Sequence, residues 1–286
     1  MTHNLSQKTI NSKIDCSGLG LHSNNKVNLT LLPAPENSGI IFRRVDVKDK
    51  NNEIIANYLN VSATNLGTVI KNSSGVEVAT VEHLMAAIWG CGIDNLIIEI
   101  DSIEVPIMDG SSEPFVFLIE CAGISEQSIN RKEIEILKTI RFDEEDKFIE
   151  VSPNKEFSMN IKTDFRGVGI QDFTYKAISS SFKTDICRAR TFCFKSEIDK
   201  MYKMGLAKGG SLKNAIVLED DGSVINQEGL RYKDELVKHK VLDFIGDIYL
   251  SGYFIIGHFK AFKPGHAINN KLLRKLFSDK DAWRLV

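Results

Sequence analysis

The alternation of apolar and polar positions divides the chain into many short strands and a few helices. Residues 8–31 alternate weakly, which predicts strands joined by a turn at Gly18-Leu19-Gly20. Pro33 and Pro35 mark a loop, and 40–45 predicts another strand. Thr80 is placed to cap a helix over 81–89 that Gly90-Cys91-Gly92 ends. The isoleucine-rich run 95–100 predicts a strand and 106–112 a turn. Pro114 then stands near the start of an apolar helix over 115–121.

A polar stretch without period, 125–132, suggests a boundary between an N-terminal α+β domain (1–125) and a C-terminal one (126–286). Strands are expected near 134–142, 147–151 and 157–163. A helix over 196–204 is stopped by Gly205, and 214–218 is a strand. Helical spacing covers 236–250, followed by a strand over 253–259, a loop at Pro264-Gly265-His266 and a helix over 268–277. Short strands with a few helices in each half argue for α+β. A faint repeat is also visible. Glu82-His83 and Lys238-His239 each open a helix, and a turn follows each histidine at the same interval, at Gly110 and at His266. Two similar units could pack and bring the two histidine helices together.

Length and composition narrow the function. At 286 residues the chain makes one large domain or two ordinary ones. Hydrophobic residues at 43% and charged residues at 26% exclude wholesale disorder. The net charge of −2 carries no basic excess, so nucleic acid is not an expected partner. No apolar run reaches the roughly 18–20 residues of a spanning helix, and the first residues lack a signal-peptide pattern. The expectation is a cytoplasmic protein without stable membrane insertion, monomeric by default. Five scattered cysteines, none in a C-x-x-C pair, read as reduced thiols.

Three histidine settings suggest chemistry. His239 and Asp243 stand at i and i+4, which on a helix puts them on one face about 5–6 Å apart. That pair suits two ligands of one Zn²⁺ or Fe²⁺, and equally a solvated His–Asp contact. Asp247 continues the face and could orient a neighbouring histidine. His83 offers a third ligand with Glu82 beside it as a general base, although an acidic first-turn residue also simply complements the helix dipole. His266 lies in a glycine loop, where a cationic imidazole could stabilise an oxyanion and protonate a leaving amine, or be merely exposed. Arg188-Ala189-Arg190-Thr191-Phe192 could line an anionic or sugar site, or form a strand with solvated arginines. His3, His22 and His258 have no partner pattern. Gly18-Leu19-Gly20 lacks the third glycine of a dinucleotide turn, Lys208-Gly209-Gly210-Ser211 has its lysine on the wrong side for a P-loop, and neither H-E-x-x-H nor G-x-S-x-G occurs.

Five motifs in order carry a family resemblance. They are Thr80-Val81-Glu82-His83-Leu84, Pro106-Ile107-Met108-Asp109-Gly110-Ser111, Arg188-Ala189-Arg190-Thr191-Phe192, the run from His239-Lys240-Val241-Leu242-Asp243 to Ile245-Gly246-Asp247, and Gly265-His266-Ala267 with Asn269-Asn270. The chain resembles, over nearly its whole length, the UDP-3-O-acyl-N-acetylglucosamine deacetylases, the zinc amidases of lipid A biosynthesis. The resemblance implies two similar α+β halves stacked as a β-α-α-β sandwich. It implies His83, His239 and Asp243 as zinc ligands, with Fe²⁺ the alternative metal. Glu82 would be the general base, His266 oriented by Asp247 the cationic acid, and Thr191 an oxyanion contact. Lys240 would meet the diphosphate and Phe165 the uracil, with Phe192 beside them. An insert over about 192–217 would carry the acyl chain past Ile198, Ala207, Ser211, Ala215 and Val217. One departure stands out: many relatives carry a cysteine where this chain has Gly67. The rival readings are a metal-dependent phosphohydrolase, which would want more carboxylates for a second metal, and a non-catalytic nucleotide-sugar binder.

Overall fold

The computed structural model describes residues 5–177 and 181–286. The N-terminal part holds β1 (Ser6–Ile10), β2 (Ile14–Leu19), β3 (Lys26–Pro33), β4 (Ile40–Arg44), β5 (Glu53–Ile55), β6 (Val61–Ala63), β7 (Val69–Lys71), β8 (Glu77–Val78), α1 (Glu82–Gly90), β9 (Leu96–Ile100) and α2 (Glu113–Ala122). After β10 (Ile124–Asn130) follow β11 (Glu133–Ile136), β12 (Ile140–Glu144), β13 (Lys147–Ser152), β14 (Ser158–Phe165), β15 (Gly169–Lys176), α3 (Ser181–Asp185), β16 (Phe192–Phe194), α4 (Lys195–Lys203) and β17 (Ile216–Leu218). The chain ends with α5 (Glu235–Tyr249), β18 (Phe254–Ile256), β19 (His258–Phe262), α6 (His266–Ser278) and β20 (Trp283–Leu285).

One topology occurs twice. The first five-stranded sheet has the order β2-β3-β9-β4-β5 and the second β12-β13-β19-β14-β15. In each, the last strand in sequence enters the centre, antiparallel to one neighbour and parallel to the other. A helix precedes that central strand in both cases, α1 before β9 and α5 before β19, and another follows it, α2 and α6. Alternation sets the buried faces: Val27, Leu29 and Leu31 of β3, and Met159, Ile161 and Phe165 of β14, point inward. Helices α5 and α6 pack on the second sheet, α2 on β2, and α1 lies against α5 between the sheets. The architecture is α+β, with the buried helix α1 packed against α5.

The structure corrects several local expectations. The stretch 125–132 is not an irregular linker, because most of it is β10, paired antiparallel with β1. We therefore keep the division into 1–125 and 126–286 only as a proposal, based on the repeated topology. Gly18 and Leu19 belong to β2, and the turn comes after them. Thr80 does not cap α1. It has φ +57°, Val81 occupies the cap position, and the Thr80 hydroxyl donates to Glu104 Oε1 at 3.2 Å. The loop expected at His266 is the first residue of α6, with Gly265 as its cap. Among the described residues, no helix is long and apolar enough to cross a membrane.

Candidate active site

Helices α1 and α5 meet closely at Gly246 of α5. A Cβ built on Gly246 would lie 2.1 Å from the Glu82 carbonyl oxygen, so only a residue without a side chain fits there. That approach places the first turn of α1, with Glu82 and His83, against the middle of α5. His83 Nε2 stands 3.5 Å from Asp243 Oδ1, and His239 Nε2 stands 3.2 Å from the same oxygen. The two imidazoles meet edge to face at 4.9 Å. Among the described residues, these three form the one group whose ligand atoms converge, all within 4.8 Å of each other.

The surroundings fit a cation. Asp243 Oδ1 is buried and has no hydrogen-bond partner, a costly state for a carboxylate unless a positive charge completes it. His239 Nδ1 donates to the Ala189 carbonyl at 3.0 Å, which turns Nε2 and its lone pair toward the cluster. Burial pushes His239 down to about 3, so this imidazole is neutral, as a ligand must be. Against the cost of burial, the Lys240 ammonium helps hold the Asp243 carboxyl well below the usual range. Lys240 Nζ reaches Asp243 Oδ2 at 3.0 Å. Two nitrogens and one oxygen form a donor set suited to Zn²⁺ or Fe²⁺.

Beside the cluster lies a chain of buried charges. His266 Nδ1 donates to Asp247 Oδ2 at 2.8 Å, and its Nε2 faces Glu82 Oε1 at 3.8 Å. Burial lowers the imidazole pKa, but Asp247 and then Glu82 outweigh it and lift His266 to about 10. Burial pushes Glu82 up, opposed by His266 and His83. Asn269, one turn after His266, donates to Asp247 Oδ2 at 2.8 Å.

These groups open into a cleft of about 400 Å³. Thr191, Phe192 and Lys240 line it with Glu82, His83, Asp243 and His266. Leu21 and Leu66 form apolar wall, and Lys147 and Lys263 supply cations. Phe165 is buried edge-on behind Phe192, with ring centres 5.5 Å apart, and does not itself line the cleft. Nor do the insert residues Ile198, Ala207, Ser211, Ala215 and Val217. The insert does lean on the cleft wall: Gly209 N donates to the Leu21 carbonyl at 2.9 Å, and Ala215 and Val217 are buried.

The sequence model of the LpxC family, UDP-3-O-acyl N-acetylglycosamine deacetylase, matches residues 7–278. The chain belongs to this deacetylase family. A relative from Shewanella denitrificans named UDP-3-O-acyl-N-acetylglucosamine deacetylase is 48% identical over 284 residues, 98% of this chain and 92% of the relative. Relatives of the same name from Histophilus somni (47% over 286 residues) and Idiomarina loihiensis (48% over 287 residues) each cover 99% of this chain and 93% of their own length.

Some of this deacetylase site escaped the sequence. Arg190 is neither a cleft cation nor solvated, because it is buried in an ion pair with Glu235 at 3.0 Å. Thr68 carries no local signal, since its hydroxyl meets Asp247 from 179 positions away. Asn269 was legible in principle, three residues after His266 on one helix face. Gly67 has φ +157°, and a Cβ there would lie 3.1 Å from Glu82 Oε1, which glycine tolerates best.

Proposed function

We propose that this chain hydrolyses the 2-acetamido group of UDP-3-O-acyl-N-acetylglucosamine, releasing acetate, in lipid A biosynthesis. The observation that carries the reading is the meeting of His83, His239 and Asp243 beside the Glu82–His266 pair in one cleft. His83, His239 and Asp243 would hold Zn²⁺, with Fe²⁺ as the alternative. When bound, the ion supplies Lewis acidity toward water and the acetamide carbonyl.

The chain's own groups supply the proton transfers. Glu82, with its pKa raised by burial, takes a proton from the attacking water. His266 is cationic at neutral pH, held on Asp247, and gives a proton to the leaving amine, which is a poor leaving group without it. Each such group typically contributes about 10²–10⁴-fold. The Thr191 hydroxyl, on the cleft wall, stabilises the oxyanion. Lys240 meets the diphosphate as a point charge. Phe165, packed edge-on against Phe192, meets the uracil, and Phe192 offers its own face from the cleft wall beside it. The insert residues Ile198, Ala207, Ser211, Ala215 and Val217 shape an apolar passage for the acyl chain, a reading supported by the packing of the insert on Leu21. The proposal takes the protein as a cytoplasmic monomer that does not bind nucleic acid.

A phosphohydrolase would need carboxylates for a second ion, and of the two beside the cluster Asp247 is engaged on both oxygens by Thr68, His266 and Asn269, which leaves Glu82 alone. The test is acetate release from the UDP-sugar by wild type, Glu82→Ala and chelated protein. Wild-type turnover that neither change diminishes would overturn the reading.

A further inference from the structure

Thr68 joins the two acidic groups that flank His266. Its backbone N–H donates to Glu82 Oε2 at 2.9 Å, and its hydroxyl donates to Asp247 Oδ1 at 2.6 Å. Its carbonyl accepts from Val81 N, at the entry to α1, at 3.3 Å. The side chain is almost wholly buried. One residue thus ties the start of α1, from the first half of the fold, to the last turn of α5, from the second.

The two donated bonds divide the work of each carboxylate. With Oε2 of Glu82 taken by Thr68, Oε1 is the oxygen left toward His266. With Oδ1 of Asp247 taken by the Thr68 hydroxyl, Oδ2 is the oxygen that receives His266 Nδ1 and Asn269. Without Thr68, each carboxylate would be free to rotate and offer the other oxygen. Hydrogen bonds to charged, buried acceptors are the strong ones, so this restraint is substantial.

The loop that presents Thr68 is itself held under tension. Leu66 has φ +56°, a conformation that an L side chain rarely adopts, and Gly67 follows at φ +157°, which glycine allows. Outlying backbone of this kind persists when its surroundings enforce it. His22 does so here. Ala207 N–H donates to His22 Nδ1 at 3.2 Å, which leaves the proton on Nε2 to donate to the Leu66 carbonyl at 2.9 Å. The turn that carries His22 is anchored in turn by Glu104, whose carboxylate accepts the backbone N–H groups of His22 and Ser23, each at 2.8 Å.

The geometry points to Thr68 as a positioning residue for the deacetylation, one that acts through Glu82 and Asp247 and touches neither metal nor substrate. This rests on the proposed roles of Glu82 and His266. Metal-loaded Thr68→Val keeps the backbone N–H and the side-chain shape but loses the hydroxyl. Its kcat falls about 10- to 100-fold, the span of a hydrogen bond to a charged group, while KM and bound metal stay at the wild-type values. Thr68→Ser restores the hydroxyl and most of kcat. On an Asp247→Asn background Thr68→Val costs much less, because its route runs through that carboxylate.

If T68V does not accumulate as folded protein, Thr68→Ala takes its place with the same expected split. Loss of metal, a raised KM at unchanged kcat, or a full additive loss on the Asp247→Asn background would each overturn the assignment. An inactive Glu82→Ala alongside a fully active T68V sinks this inference alone. An active Glu82→Ala sinks the reading beneath it.

Discussion

Gly246 of α5 sits against the backbone of Glu82 in α1, so close that a methyl group at Gly246 would overlap the Glu82 carbonyl. This contact is the reason a histidine from one half of the fold can share an oxygen with a histidine and an aspartate from the other. Backbone cannot yield as the end of a flexible side chain can, so a Cβ must push the helices apart.

Gly246→Ala is therefore expected to destabilise the protein by at least about 1–3 kcal/mol, the usual cost of overpacking, despite the better helix propensity of alanine. It should also weaken metal binding, because His83 moves away from His239 and Asp243. Urea unfolding and metal titration of the variant check both. A variant as stable as wild type, with unaltered affinity, would show that the helices have room to spare.

His266 makes stability depend on pH. Its folded-state pKa is raised to about 10 from an ordinary value of 6.5. A raised pKa means that the folded state binds the proton more tightly. The contribution is thus fully present below pH 6.5 and is lost as pH rises through about 10. In metal-free protein, the stability difference between wild type and His266→Gln should shrink between pH 6 and pH 10.5. Denaturant unfolding at both values measures it, and a difference that stays constant or grows contradicts the charged imidazole.

Much of the site was legible because its parts are local. His239, Asp243 and Asp247 recur at helical spacing on α5, and Glu82 adjoins His83 at the start of α1. What brings them together was not local. Gly246 reads in sequence as a weak point in a helix, and its function emerges only where another backbone passes. Thr68 and Asp247 lie 179 positions apart, and no periodicity links them. The fold was readable for the same reason in reverse: alternation marked Val27–Leu29–Leu31 of β3, whereas β10 was missed because its exposed polar residues hide the pattern of an edge strand. Arg190 reads in sequence as a site cation or a solvated strand arginine, because composition cannot reveal that Glu235 is buried against it.

Metal should stabilise the fold through its ligands. A cation that binds only the native state adds about 2.7 kcal/mol at a free concentration 100 times its Kd. Zinc-loaded protein should thus melt well above chelated protein. Asp243→Ala should abolish that difference while leaving the chelated protein folded, because Asp243 Oδ1 has no hydrogen-bond partner and the partner of Oδ2, Lys240, is partly exposed and can turn to water. Calorimetry with and without chelator decides it. Equal melting temperatures for loaded and chelated wild type would deny the cluster its metal.

Glu235 supports the site from beneath. Its carboxylate receives the backbone N–H and the guanidinium of Arg190, both at 3.0 Å, and the side chains are almost wholly buried. Arg190 lies between Ala189, whose carbonyl orients His239, and Thr191 on the cleft wall. Removing Glu235 strips Arg190 of its buried partner and leaves it only the exposed Glu228, at 3.0 Å, and the Gly229 carbonyl, so the cost reaches toward the about 3–5 kcal/mol of a broken buried pair. Glu235→Ala should lose stability on that scale. It should also bind metal more weakly, since the Ala189 carbonyl no longer holds its place. Arg190→Met with Glu235→Leu should recover much of the stability, because apolar side chains of similar size can replace a buried pair. If the single substitution costs under about 1 kcal/mol, the pair behaves like an exposed one and gives no support to His239.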